Sequence, residues 1–210
     1  MRALSTIGLL LTAAAGVCSA AGPVQAVTAA QLDAAVPKAR DAARCQAGPG
    51  ECATNAQAAA AISRAIQKYG VTARGEVVAL VALMAYESDS WTYNINHFPG
   101  RAGQGTRAML MYPYVLPYAR ALHSAQVSDA AAATADDATM NSVRGLVLND
   151  DDSFGSAFWF LVTTAPQYHA SASRLRDGNL DDFKSYVVDA VGGTWDDGRE
   201  STWHAVNNAL

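Results

Sequence analysis

Ten consecutive residues, Val77 to Tyr86 (VVALVALMAY), carry no charge and run straight into Glu87. Such a stretch has no polar face to offer water, so as a helix it has to be enclosed by other elements. It is therefore expected to be the central core helix. At 100° per residue Leu80, Leu83, Met84 and Glu87 fall within about 60° of one another, so Glu87 closes an apolar face near the helix end. Desolvation and the negative end of the helix dipole both favour the protonated form of a carboxyl placed there, which is then able to hold and donate a proton near neutral pH. The other reading is a surface glutamate at a frayed helix end, because a helical wheel does not show what covers the face.

The flanking chain predicts more helices. Val27 to Arg44 reads as one helix interrupted at Pro37, since the residue before a proline is biased away from helical geometry. Thr54 or Asn55 caps a second helix through Tyr69, with Ile62, Ile66 and Tyr69 at helical spacing and Gly70 as terminator. Thr72 is the expected cap of the central helix. Beyond Trp91 the period is lost in a loop rich in Asn and Gly, and Arg107 to Met111 restarts a short helix before Pro113. Tyr118 to about Ser124 is helical, and Asp129 to Ala138 is a solvated helix or surface segment. Carboxylates of Asn149 to Asp152 cap a second core helix, Phe154 to Ala165, which Pro166 ends. Leu180 to Val191 forms a further helix before Gly192, and the tail ends in a weak one. With no β-branched alternation anywhere, the expectation is an all-α fold of about seven or eight helices.

Arg2 precedes an apolar run from Ile7 to Val17, and Ser19, Ala20 and Ala21 supply small residues for cleavage. Residues 1 to about 21 therefore read as a secretory signal peptide, with cleavage after Ala26 as a later option. The run is short of the ~20 apolar residues that span a bilayer, so no membrane association is expected after cleavage. Cys18 leaves with the signal, and Cys45 and Cys52 remain as an even pair in an oxidising compartment, which predicts one disulfide closing CQAGPGEC. The chain thus divides into signal (1–21), an Ala/Pro/Gly-rich segment with the disulfide (22–52) and the main domain (53–210). Net charge is −4 without a basic block, which argues against nucleic acid as a partner. GRAGQGTR lacks the Gly-Lys-Ser/Thr of a phosphate-binding loop, and no Gly-x-Ser-x-Gly elbow supports a serine hydrolase. His97 has no second His at metal spacing and reads as a hydrogen-bonding loop residue, so neither a metal nor a cofactor is expected. The default is a monomer.

An apolar helix ending in Glu87-Ser88, an Asn-containing loop, a Gly-rich turn (Gly103, Gln104, Gly105) and a short Met-bearing helix (Met109, Met111, Pro113) together resemble the lysozyme and lytic-transglycosylase superfamily, in particular its goose-type and soluble transglycosylase branches and the secreted fungal muramidases. The resemblance covers residues 77 to 113, with a looser one at the aromatic helix Phe154 to Ala165 and Tyr168. The turn reads Gly-Gln-Gly-Thr-Arg instead of that superfamily's Gly-Leu-Met-Gln, and its Ala-Tyr-Asn-Gly signature is absent near the C-terminus. The resemblance implies a lysozyme-like domain around a buried central helix and a secreted glycoside hydrolase cutting β-1,4 links of peptidoglycan or a related N-acetylated glycan, with Glu87 as general acid. The alternative is a non-catalytic glycan-binding or effector protein on the same scaffold. A second carboxylate in such enzymes stands roughly 5 to 9.5 Å away, and Asp89, Asp150 to Asp152, and Asp196 or Asp197 are the candidates. Ser88 comes with the motif and Tyr168 with the far wall of the groove. Tyr93, Asn94, Asn96, Gln104, Thr106, Arg107 and Tyr112 are candidate sugar contacts, since amides and hydroxyls bond sugar hydroxyls and aromatic faces stack on rings. Each reads equally as a residue that structures the loop.

Overall fold

The computed structural model describes residues 22–129, 131, 134–170 and 174–210. The signal peptide expected at residues 1–21 lies outside them, as do positions 130, 132 and 133 of the Ala-rich segment. Among the described residues the protein is all-helical, with eight α-helices joined by short 3-10 turns and no strand.

Local chemistry accounts for most helix ends. α1 (Ala29–Ala35) and α2 (Asn55–Tyr69) each begin with a reciprocal capping box: Thr28 with Gln31, and Thr54 with Gln57. α2 stops at Gly70, whose φ of 67° is the left-handed value that glycine adopts without strain. Pro37 breaks the first helix as expected, and 3-10 turns at Pro37–Arg40 and Ala42–Gln46 follow.

α3 (Arg74–Glu87) is the enclosed helix. Every residue from Gly75 to Ala85 is buried, and α8 (Asp197–Ala209), α6 (Asp150–Thr163) and the turn Arg174–Asp177 pack around it. Thr72 does not cap it; Ala73 holds the cap position without a side-chain hydrogen bond. Gly75 is required there, because a Cβ would stand 2.3 Å from the backbone nitrogen of Gly178.

Around this axis α2 packs on α6, and α1 bridges α2 and α8. α6 is capped by the Asn149 side-chain amide and not, as expected, by a carboxylate: its three aspartates lie inside the first turn, and it buries Phe154, Phe158 and Phe160. α4 (Tyr112–His123) packs on α5 (Asp137–Gly145). It starts later than the helix expected at Arg107: Thr106 and Met109 have φ of 72° and 47°, and the segment is turns. Pro113 instead sits in the first turn of α4, where its missing N–H costs nothing. The helix expected over Leu180 to Val191 changes character midway, α7 (Leu180–Ser185) passing into a π-helical turn at Tyr186–Val191.

Candidate functional site

The chain leaves α3 through three successive left-handed residues, Asp89, Ser90 and Trp91, with φ of 49°, 59° and 66°. Non-glycine residues adopt this region at a cost of about 1–2 kcal/mol each, so the surroundings have to hold it. Ser90 N donates to Ala85 O at 2.7 Å, Trp91 N to Ser88 Oγ at 3.0 Å, and the Trp91 indole to Asn55 Oδ1 at 2.8 Å. Ser88 and Trp91 are fully buried.

This turn aims the following loop back over the end of α3. Arg107, 1% exposed, fixes it from behind: Nη1 donates to the carbonyls of Trp91 and Tyr93 at 3.0 and 2.9 Å, and Nη2 to that of Glu51 at 2.5 Å. Burial pulls the Arg107 pKa down to about 10 while Asp150 and Glu51 pull the other way, so the guanidinium stays charged at neutral pH. Glu51 completes the frame. Its Oε2 accepts from the backbone nitrogens of Asn94 and Ile95 at 2.9 and 3.0 Å, and its Oε1 meets His97 Nε2 at 2.6 Å. Cys52, next to Glu51, is bonded to Cys45, so the small ring anchors this carboxylate.

The result is a cleft of about 370 Å³ lined by Glu87, Tyr93, Ile95, Asn96, His97, Phe98, Gln104 and Met109. Ile95, Met109, Tyr93 and the 92%-exposed Phe98 supply the apolar half of its lining, and Glu87, Asn96, His97 and Gln104 the polar half. Glu87 stands in its wall with Oε1 accepting from Arg199 Nη2 at 2.5 Å; Oε2 has no hydrogen bond among the described residues. A larger hollow of about 490 Å³ at the start of α3 is less suited to a ligand: Arg74 is spent on Asn207 and Arg176 on Glu76.

Of the expected contact residues, Tyr93, Asn96 and Gln104 meet Glu87 in the cleft. The others are placed elsewhere. Ser88 caps the helix end. Asn94 is buried between Glu51 and the Leu148 carbonyl, and Thr106 meets Ser156 Oγ at 2.8 Å inside the core. Tyr112 is 4% exposed and packs on Gly103, where a Cβ would come within 2.4 Å of its ring. Tyr168 bonds Ser185 and lies edge-on to Tyr186, outside the cleft lining. The candidate second carboxylates are engaged away from the cleft: Asp89 with Lys38, Asp150 beside Arg107, Asp151 with Arg64, Asp152 with His123, and Asp196 as cap of α8 with Tyr86. Asp197 lies in the first turn of α8. Glu87 has Arg199 as its counter-ion. Glu51, Phe98 and Arg199 were not singled out in the sequence, and nothing local marks Arg199 as a partner of Glu87.

No protein-family model matches the chain, and no solved structure matches it. A similarity is found to a Fusarium oxysporum bifunctional dioxygenase–epoxy alcohol synthase, 32% identical over 140 residues, covering 65% of this chain. This chain spans about a tenth of that protein's length, since the match covers 11% of it. This finding overturns the muramidase reading: the similarity runs to an oxygenase–synthase and not to a lysozyme, transglycosylase or other glycoside hydrolase. The superfamily resemblance, the peptidoglycan-cutting activity and the cell-wall function inferred from it are withdrawn. A helix ending in Glu-Ser before a Gly-rich turn is a short local pattern, and here it serves to pack the turn after α3. Among the described residues no group of three or more His, Cys, Asp or Glu side chains could hold a metal ion, and no helix is long and apolar enough to cross a membrane.

Proposed function

We propose that the protein is a small-molecule binding domain whose cleft at the end of α3 takes a neutral ligand with an apolar body and a hydrogen-bond-donating head, the head received by Glu87. The observation that carries this is the unspent Glu87 Oε2 set among Ile95, Met109, Tyr93 and Phe98. An apolar wall rewards burial of a hydrocarbon at about 25 cal/mol per Å², and a single fixed acceptor orients it. The name of the Fusarium relative includes synthesis of an epoxy alcohol, and a hydroxyl on an apolar body is the chemistry this cleft suits. We further propose that the chain is secreted; the Cys45–Cys52 bond supports this because such bonds persist in oxidising compartments.

Isothermal titration of the purified protein with 1-octanol and with octanoate tests the reading. The alcohol is expected to bind one to one and the carboxylate to be refused, because its charge meets that of Glu87. Glu87→Gln is expected to admit octanoate, which then has Arg199 as a partner. Equal binding of both probes by the wild type, or binding of neither, overturns the proposal.

A further inference from the structure

The cleft holds more than one unspent acceptor. Glu51 Oε1, itself fixed through the two backbone N–H groups on its Oε2, takes the proton side of His97 Nε2. In a neutral imidazole this leaves Nδ1 with its lone pair, and Nδ1 has no partner among the described residues. Gln104, 8% exposed, spends Nε2 on the Met109 carbonyl at 3.0 Å, and its buried Oε1 has no donor. A buried amide oxygen without a donor is costly and uncommon. Glu87 Oε2, His97 Nδ1 and Gln104 Oε1 thus belong to three residues of one cleft, all of them acceptors. The formal charges in the wall are already opposed: Glu87 by Arg199, and Glu51 by the nearby Arg107 and Arg144.

From this arrangement, and resting on the binding function proposed above, we infer that the ligand's head is a vicinal diol: neutral, with two O–H donors side by side, one for Glu87 Oε2 and one for His97 Nδ1. A single alcohol satisfies one acceptor and leaves the second to water. An ammonium head offers enough donors but brings a charge that the arginine-paired wall does not need.

The test is a titration series on the purified protein with 1,2-octanediol, 1-octanol, 1-methoxyoctane and octylammonium. The diol is expected to bind about tenfold more tightly than the alcohol, the gain of one further hydrogen bond, and the ether more weakly than either. In His97→Phe the diol-to-alcohol ratio is expected to fall to about one, and in His97→Gln, which keeps an acceptor, to stay well above it. The ratio is measured within each protein, so a general loosening of the loop does not imitate the effect. Equal binding of diol and alcohol by the wild type overturns the diol assignment and leaves the cleft reading standing. Octylammonium binding more tightly than the diol overturns it in favour of charge. A ratio unchanged in His97→Phe removes His97 from the site, and failure of all four probes overturns both readings.

Discussion

Arg199 and Glu87, 112 positions apart, meet through Nη2 and Oε1 at 2.5 Å, and the same guanidinium lies 4.2 Å over the ring of Tyr86. The contact joins the last helix to the end of the central one and sets the charge of the cleft wall. Removing one member of such a pair leaves the other buried and uncompensated. Arg199→Met is expected to cost about 2 kcal/mol, less than a fully buried pair because Glu87 keeps 20% of its side chain exposed. Urea unfolding measures it, and Glu87→Gln in the same chain is expected to recover part of the loss.

Arg107 carries three backbone carbonyls from two segments and stacks 5.1 Å from the Phe154 ring. Arg107→Lys supplies one compact ammonium where a planar fork is needed. The substitution is expected to destabilise by about 3 kcal/mol and to weaken 1-octanol binding, because the Tyr93 carbonyl is released. A wild-type unfolding midpoint would contradict this role.

The Cys45–Cys52 ring is short, so its loop-closure contribution is modest, about 2 kcal/mol. A Cys45→Ala, Cys52→Ala double variant is expected to melt roughly 4–8 °C lower by calorimetry. Since Glu51 is next to Cys52 and holds Asn94, Ile95 and His97, 1-octanol affinity is expected to fall at a temperature where the variant is still folded.

Glu76 is fully buried in the first turn of α3, with Oε1 accepting from His169 Nδ1 at 3.1 Å and Arg176 Nη1 at 3.2 Å. Burial raises its carboxyl above the ordinary value of 4.5, while His169 and Arg176 draw it back. An acid whose folded value lies above its unfolded one binds its proton more tightly when folded. That contribution is fully present below the unfolded value and is lost as pH rises through the folded one. Glu76→Gln removes this dependence. Relative to wild type the variant is expected to gain stability as pH rises from about 4 toward neutrality, and denaturant midpoints across that range check the sign.

Phe98 stands at the cleft rim almost fully in solvent, at 92% exposure. With so little buried, Phe98→Ser is expected to leave the melting temperature within about 1 °C. Loss of its apolar face should weaken 1-octanol binding about threefold, read by titration. Unchanged affinity would place the ligand elsewhere.

What the sequence determined on its own was the helical framework. The unbroken apolar run of α3, the cap at Thr54, the stop at Gly70 and the Cys45–Cys52 pair are local signals, and each acts within a few residues of where it is written. The exit from α3 and the start of α4 were less legible, because left-handed turns at Asp89 to Trp91 and at Thr106 are held by distant partners that override local preference. The cleft itself was decided only by the tertiary structure. Whether Asn94, Thr106, Arg107 and Tyr112 face a ligand or the core depends on Glu51, Ser156 and Gly103 closing over them, and whether Glu87 stands alone depends on Arg199 arriving from the last helix. Burial and ion pairing are properties of contacts between segments far apart in the chain. A helical period records which face turns inward, but not which charge will be waiting there.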